Sequence, residues 1–272
     1  MTTERRLAFG AVADLYDRAR PSYPPALVDD VLEFAGARHG DPAIEVGAGT
    51  GKATVLFARR GLRIVALEPS FEMARVARGK LVAYDVTIEQ TEFERWAPHE
   101  RFRLLFSAQA WHWVNPEIRY TRAREALADG GALAIFWNRP RWETSPVRDE
   151  LSDAYGRAAP ELGWGRTGPG PMHPGVQSSP EWWGDWTREL RATAGFEPPE
   201  ARSYTWNQAY TTDEYVQLLQ THSDHIVLPD RERHALLEGV AGVIDRSGGS
   251  LTLEYVTALW LARTARDTGA AG

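Results

Sequence analysis

The chain has 272 residues, 43% of them hydrophobic and 25% charged, with a formal net charge of −6. That balance excludes a disordered polymer, and the acidic sign leaves no global basic field to draw in nucleic acid or an anionic membrane. Cysteine is absent, which excludes disulfides, thiolate metal ligands, cysteine nucleophiles and thiol switches. The opening Met1-Thr-Thr-Glu-Arg-Arg has no apolar run behind it, so no signal peptide is visible. No uninterrupted apolar stretch of about 18 residues is present to span a bilayer. The expectation is a cytoplasmic protein with neither membrane nor nucleic acid as partner.

Strands and helices alternate along the chain. Ala26–Ala35 reads as an amphipathic helix after Pro24-Pro25. Ala43–Val46 is a short apolar strand running into Gly47-Ala-Gly-Thr-Gly51. Thr54–Arg60 has helical periodicity and stops at Gly61, a C-terminal glycine signal. Leu62–Leu67 is the next strand, closed by Glu68-Pro69, and Ser70 can cap a helix reaching about Arg78. Val82–Ile88 and Phe102–Phe106 are the third and fourth strands. A helix over about Pro116–Leu127 stops at Asp129-Gly-Gly131, and Ala132–Phe136 is the fifth strand. Parallel neighbours need helix-length crossovers, and the connections here have that length. A strand near Ala201–Trp206, a helix near Thr212–Leu219 and an apolar run over Leu251–Ala262 complete the chain.

Eleven tryptophans are unusual, and six fall between Trp137 and Trp186. The same stretch holds Gly163-Trp-Gly-Arg-Thr-Gly-Pro-Gly-Pro171, too rich in Gly and Pro for a continuous helix or strand. Long irregular segments inside compact domains are lids or linkers, and tryptophans need burial. Two readings stay open: an insertion with a small core of its own, or a lid whose aromatics face a ligand.

The glycine loop is where chemistry starts. A strand feeding Gly47-x-Gly49-x-Gly51 lets backbone approach a ligand closely at the carboxyl end of a parallel sheet. A phosphate loop would need Gly where Val46 stands and Ser or Thr where Ala53 stands. A dinucleotide loop would need Gly where Lys52 stands. S-adenosylmethionine (SAM) has no phosphates and needs glycines for the approach of its amino-acid end.

At this point the residues resemble a family. Glu45-Val-Gly-Ala-Gly-Thr-Gly51 is similar to the first motif of class I SAM-dependent methyltransferases. The likeness covers most of the chain. Phe9-Gly10, Tyr16-Asp-Arg-Ala-Arg20-Pro-Ser-Tyr23-Pro and Ser107-Ala-Gln-Ala-Trp-His112-Trp113 resemble the branch that contains trans-aconitate methyltransferases and related small-molecule enzymes. The resemblance implies an α/β, Rossmann-like, doubly wound sheet of seven strands, the last antiparallel, with a lid-like insertion. It implies a SAM-binding core over 1–138, an insertion or lid over 139–195, and completion of the sheet by 196–272.

It also implies roles. Glu68 matches the acid that holds the cofactor's ribose, and a carboxylate there can accept both ribose hydroxyls. Pro69 and Met73 follow it on the cofactor side, and Thr91, Glu92 and Phe93 stand where the family contacts adenine. Glu45 orients the glycine loop or reaches the methionine end, and Ser107, which closes the fourth strand, is a further expected cofactor contact. Tyr16 and Arg20 resemble a flap over the cofactor, where a guanidinium suits a carboxylate. Tyr23, Trp111, Trp113, Trp142, Trp183 and His222 are the expected acceptor lining. His112 is the candidate catalytic residue, as a base or as an orienting hydrogen-bond partner, with a core histidine as the alternative. His222 and His225 tempt a metal reading, but without thiolate or carboxylate at a familiar spacing no metal is expected. The expected reaction is methyl transfer to an oxygen of a small molecule. N-methylation, or binding of SAM or a nucleotide without transfer, is the alternative.

Overall fold

The computed structural model describes residues 12–162 and 186–265. Phe9, Gly10, Trp164, Trp182 and Trp183 lie outside them, so the expected acceptor role of Trp183 does too. The described residues pack as two units: a sheet unit of residues 22–138, 186–204 and 257–265, and a helical unit of residues 12–21, 139–162 and 205–256.

Seven strands form one sheet: Pro42–Val46 (β1), Arg63–Leu67 (β2), Val86–Glu89 (β3), Phe102–Ala108 (β4), Leu127–Arg141 (β5), Glu200–Thr211 (β6) and Ser250–Arg263 (β7). Their order is β3-β2-β1-β4-β5-β7-β6, with β1 to β5 parallel and β7 antiparallel. This is the doubly wound α/β sheet that the resemblance implies, and its parallel strands are those that the alternation of elements predicts. The order reverses between β1 and β4, the switch point at which such sheets take ligands. β1 and β4 are covered on both faces, which is why they read as unbroken apolar runs.

Within the sheet unit, Pro25–Ala35 is a helix that buries Leu27, Val28, Val31 and Ala35, spaced to face one way, and ends at Gly36 with φ +59°. Its other helices are Thr54–Ala58, Phe71–Leu81, Arg119–Ala126 and Trp186–Ala192. The helix after the glycine loop is thus one turn long and stops short of Arg60. The Phe71–Leu81 helix outruns the expected end at Arg78; Ser70 caps it as expected, accepting from the Met73 amide at 3.4 Å. That helix consumes Leu81, so β3 starts at Val86 and Val82 stays exposed. β5 starts at Leu127, five residues before the expected strand, because a register shift between Phe102 and Leu104 lets Leu127 pair with Phe102 across the Asp129-Gly-Gly131 stretch.

The helical unit contains helices Ala13–Ala19, Arg148–Ala158, Thr212–Leu219, Ser223–Ile226 and Asp230–Arg246. The last packs on Arg148–Ala158 and Thr212–Leu219 through Leu236, Val240, Val243 and Ile244. These apolar positions sit three or four apart among charged residues. Among the described residues no helix is long and apolar enough to cross a membrane.

The tryptophan-rich stretch has a plain explanation where it is described. Trp137 stacks on Trp186 with centroids 5.0 Å apart and meets Trp260 edge-on, all three buried. Trp142 is buried in the helical unit against Tyr215. These rings supply core area.

Candidate active site

Three loops of the sheet unit meet at the carboxyl ends of β1, β2 and β4. The glycine loop leaves β1 with the Gly47 and Ala48 amides both donating to the Leu67 carbonyl at 3.0 Å, which anchors it to the end of β2. Glu68, the next residue of β2's exit, closes the loop from the other side. Its Oε2 accepts from the Gly49 amide and its Oε1 from the Ser70 amide, each at 2.8 Å. A carboxylate has two oxygens and about four acceptor sites, the chemistry that a pair of ribose hydroxyls needs. Glu68 therefore shapes the loop.

The loop glycines have separate reasons. All three have positive φ, +74° at Gly47, +58° at Gly49 and +76° at Gly51. A Cβ on Gly47 would stand 2.4 Å from the Ala110 Cβ, and one on Gly51 would stand 2.9 Å from Leu81 Cδ1. A Cβ on Gly49 would meet nothing within 4 Å. Gly47 is thus needed for packing on the β4 loop, whereas Gly49 presents open backbone to a ligand. Gly47→Ala is expected to cost about 2–6 kcal/mol of stability, from left-handed strain and overpacking together. Gly49→Ala is expected to cost only about 1–2 kcal/mol of stability while lowering SAM affinity. Melting temperatures and SAM titrations on the two variants check the pair; the opposite ranking would contradict the assignment.

Glu45 points into the base of the loop. It is almost fully buried, its Oε2 accepts from Thr54 Oγ1 at 2.5 Å, and its Oε1 has no hydrogen-bond partner among the described residues. Burial, helped by the Glu68 charge and opposed by the Thr54 bond and by Lys80, pushes its carboxyl up to about 8. The folded protein then holds one proton more than the unfolded chain between the ordinary value of 4.5 and about 8. Stability contributed by that proton is present below 4.5 and is lost as pH rises toward 8. Glu45→Gln is expected to stabilise the protein by on the order of a few kcal/mol above the upper value and to do little below the lower one. Denaturant melts across pH check this; a pH-independent difference would contradict it.

The β4 loop carries the third part. Ser107 is buried with its Oγ donating to the Val46 carbonyl at 2.8 Å, tying β4's end to β1's. Gln109 then adopts φ +60°, the one non-glycine residue with positive φ among those described. Its amide donates to the Phe136 carbonyl at 2.9 Å and its Nε2 to the Asn138 carbonyl at 3.3 Å. Strain of this kind persists where surrounding structure over-determines it and clusters at functional sites. Nothing in the residue pattern signals Gln109. The turn it makes sets Ala110 against Gly47 and starts a short 3₁₀ turn, Trp111–Trp113.

In that turn Trp111 is wholly buried against Phe93 and Tyr120, and His112 is exposed. The core-histidine alternative for His112 fails on that exposure. Its ring lies 4.9 Å from the half-buried Trp113 and 6.3 Å from Trp137. Trp111, expected to line the acceptor, offers no surface here; it is the floor that holds the turn. Phe93, expected at adenine, is likewise buried on Trp96 and Trp111, while Thr91 and Glu92 beside it are half-exposed. Met73 is buried, Pro69 is half-buried, and Tyr23 sets its ring edge on Phe136 at 4.9 Å.

Tyr16, Arg20, Trp142 and His222 belong to the helical unit. Arg20 Nη2 donates to the Thr221 carbonyl at 2.9 Å, with the guanidinium 5.0 Å over the Tyr16 ring. Trp142 is buried, so its expected acceptor surface is also closed. One group of side chains among the described residues has metal-ligand chemistry: the donor atoms of His222, Asp224 and His225 lie within 4.8 Å of one another. The His225 ring is already held at both ends, by Asp224 Oδ1 on Nδ1 and by the Tyr155 hydroxyl on Nε2, each at 2.8 Å. Burial first, and then the charge of Arg20, hold His222 well below the usual imidazole range. A guanidinium that disfavours an imidazolium also disfavours a divalent cation.

Residues 43–131 match the methyltransferase domain family. The chain is 34% identical over 233 residues to an uncharacterised methyltransferase of Mycobacterium tuberculosis, covering 82% of this chain and 90% of that one. The chain belongs to the SAM-dependent methyltransferases. A ribosomal RNA small subunit methyltransferase A of Anaeromyxobacter dehalogenans is 33% identical over 158 residues, 56% of this chain and 50% of that one. A solved structure assigned to the type II methyltransferases, also from Anaeromyxobacter dehalogenans, superposes with a TM-score of 0.60 at 21% identity, covering 91% of this chain and 97% of that one. SAM is the cofactor, and the open backbone at Gly49, the carboxylate of Glu68 beside it and the orphaned Glu45 oxygen fit it.

Proposed function

We propose that this methyltransferase acts on an oxygen, carboxylate or hydroxyl, of a small-molecule acceptor in the cytoplasm. The observation that carries the reading is the exposed His112 on a strained turn whose Ala110 packs directly on the glycine loop. Glu68 takes the ribose, Glu45's open oxygen takes the methionine end, and Thr91 and Glu92 lie toward adenine. SAM supplies, when bound, a methyl group already activated on a positive sulfur. The chain's own residues must then hold the acceptor in line, exclude water and accept a proton where one is released. His112 does the first and the last for a hydroxyl, and only orients a carboxylate, which has no proton to lose.

The likeness of Tyr16–Tyr23 and Ser107–Trp113 to the trans-aconitate branch supports oxygen as the acceptor atom. The net charge of −6 supports a small molecule over RNA. The ribosomal RNA relative carries a second reading, in which a nucleic acid is the acceptor, and it spans half of that relative. The deciding experiment incubates the protein with labelled SAM, a panel of small acids and alcohols, and ribosomal RNA, and follows label and product mass. Methyl esters or ethers are expected; label in RNA alone would overturn the reading.

A further inference from the structure

Asn138 is a buried polar side chain near the end of β5, directly after the buried apolar run 132–137. A buried amide is costly unless it is hydrogen-bonded, and asparagine is poorly suited to strands. Its partners come from two distant parts of the chain. Nδ2 donates to the Ser22 carbonyl at 2.8 Å, and Oδ1 accepts from Thr257 Oγ1 on β7 at 2.6 Å. Ser22, Asn138 and Thr257 are residues at which the chain enters, leaves and re-enters the sheet unit. The Asn138 side chain thus ties three chain segments together and fixes its own peptide among them.

The β4 loop is strapped to that fixed peptide. Gln109 Nε2 donates to the Asn138 carbonyl at 3.3 Å, while the Gln109 amide donates to the Phe136 carbonyl at 2.9 Å. Glycine would adopt the φ of +60° at no steric cost. Glutamine is strained there, and what it has that glycine lacks is the side-chain amide on Asn138. The chain continues directly into Ala110, which faces Gly47, and into the Trp111–Trp113 turn that carries His112. The Trp113 amide closes that turn on the Ala110 carbonyl at 2.9 Å, and the Val114 amide on the Trp111 carbonyl at 3.3 Å. A shift of Gln109 therefore reaches both the glycine loop and His112.

We propose that Gln109 and Asn138 are positioning residues for methyl transfer, a strap from the β4 turn to a hydrogen-bonded anchor on β5. Neither side chain needs to touch the acceptor. The inference rests on the methyl-transfer reading of the turn and extends it from His112 to what holds His112 in line. Transfer is sensitive to such placement, since a displacement of about 1 Å can cost about 100-fold in rate.

The test uses the full chain and four variants: Gln109→Gly, Gln109→Met, Thr257→Val and Thr257→Ser. Single-turnover transfer from saturating labelled SAM to a panel of small acids and alcohols gives the rate. Melting temperature and amide exchange at Trp113 and Val114 report the state of the turn. Gln109→Gly removes strap and strain together, so its melting temperature should hold or rise while the rate falls about tenfold to 100-fold. Gln109→Met keeps the strain without the strap, so rate and melting temperature should both fall. Thr257→Val frees one side of Asn138 and should slow transfer in the same sense, and Thr257→Ser should restore it. In the three slowed variants the Trp113 and Val114 amides should exchange about two- to thirteenfold faster, the worth of one neutral hydrogen bond. Wild-type rates in Gln109→Gly and Thr257→Val would overturn the proposal, whatever the melting temperatures. Rate loss without faster exchange would also overturn it, by placing these side chains on the acceptor instead. If the wild type transfers no methyl to any member of the panel, the small-molecule oxygen reading is what has failed. Amide exchange then decides the strap alone: faster exchange in the variants supports it, and unchanged exchange overturns it.

Discussion

His112→Gln is expected to slow methyl transfer by about 10²–10⁴-fold with a hydroxyl acceptor, the usual cost of removing a general base. With a carboxylate acceptor the expected loss is only roughly two- to thirteenfold, the worth of one neutral hydrogen bond. The size of the defect thus reports the acceptor's chemistry. The pH dependence separates the two independently. A base acts in its neutral form, so the wild-type rate rises with pH through the histidine range and the variant loses that rise. An orienting contact leaves the profile unchanged. His112 sits on the exposed side of the Trp111–Trp113 turn while Trp111 anchors the buried side, so the substitution leaves the packing intact. Single-turnover rates at saturating SAM isolate the step. A defect explained wholly by weaker SAM binding would return His112 to a cofactor or structural role.

Glu68→Ala is expected to weaken SAM binding by about 1.5–3 kcal/mol, roughly tenfold to 150-fold, the range for hydrogen bonds to a charged group. The structure adds a second consequence. The Gly49 and Ser70 amides both lose their acceptor, so the glycine loop loosens and the melting temperature falls as well. A cofactor lacking a ribose hydroxyl tells the two effects apart. The wild type should prefer S-adenosylhomocysteine over its deoxyribose analogue, and Glu68→Ala should not. The difference between the two preferences isolates the direct contact, because the loosened loop weakens both ligands alike. Equal preference in wild type and variant would leave Glu68 as a loop anchor alone.

The glycine loop and Glu68 are legible in the residues because backbone chemistry at a strand end admits few side chains. Three glycines in five residues after an apolar strand, and an acid at the end of the next strand, point to one place on a parallel sheet. What the pattern does not show is which glycine serves packing. Gly47 and Gly49 look alike in sequence, and only the approach of Ala110, 61 to 63 residues further on in β4's exit, separates them. The turn at Gln109 is invisible for the same reason, since glutamine carries no local signal for positive φ. Tryptophans mislead more directly. Trp111 and Trp142 read as candidate acceptor walls because aromatics serve both cores and sites, and burial by Phe93, Tyr120 and Tyr215 decides for the core. The long helix Asp230–Arg246 also escapes notice. Its apolar stripe is interrupted by Gly239 and Gly242, which lower helix propensity while the stripe still packs.

The most direct measurement of the account is calorimetric titration of the purified protein with SAM, with NAD as the control ligand. Lys52 in the last position of the would-be dinucleotide motif argues against NAD, and the open backbone at Gly49 beside Glu68 argues for SAM. One SAM per chain, and no heat from NAD, is the predicted result. Binding of NAD in place of SAM, or no binding of SAM, would contradict it.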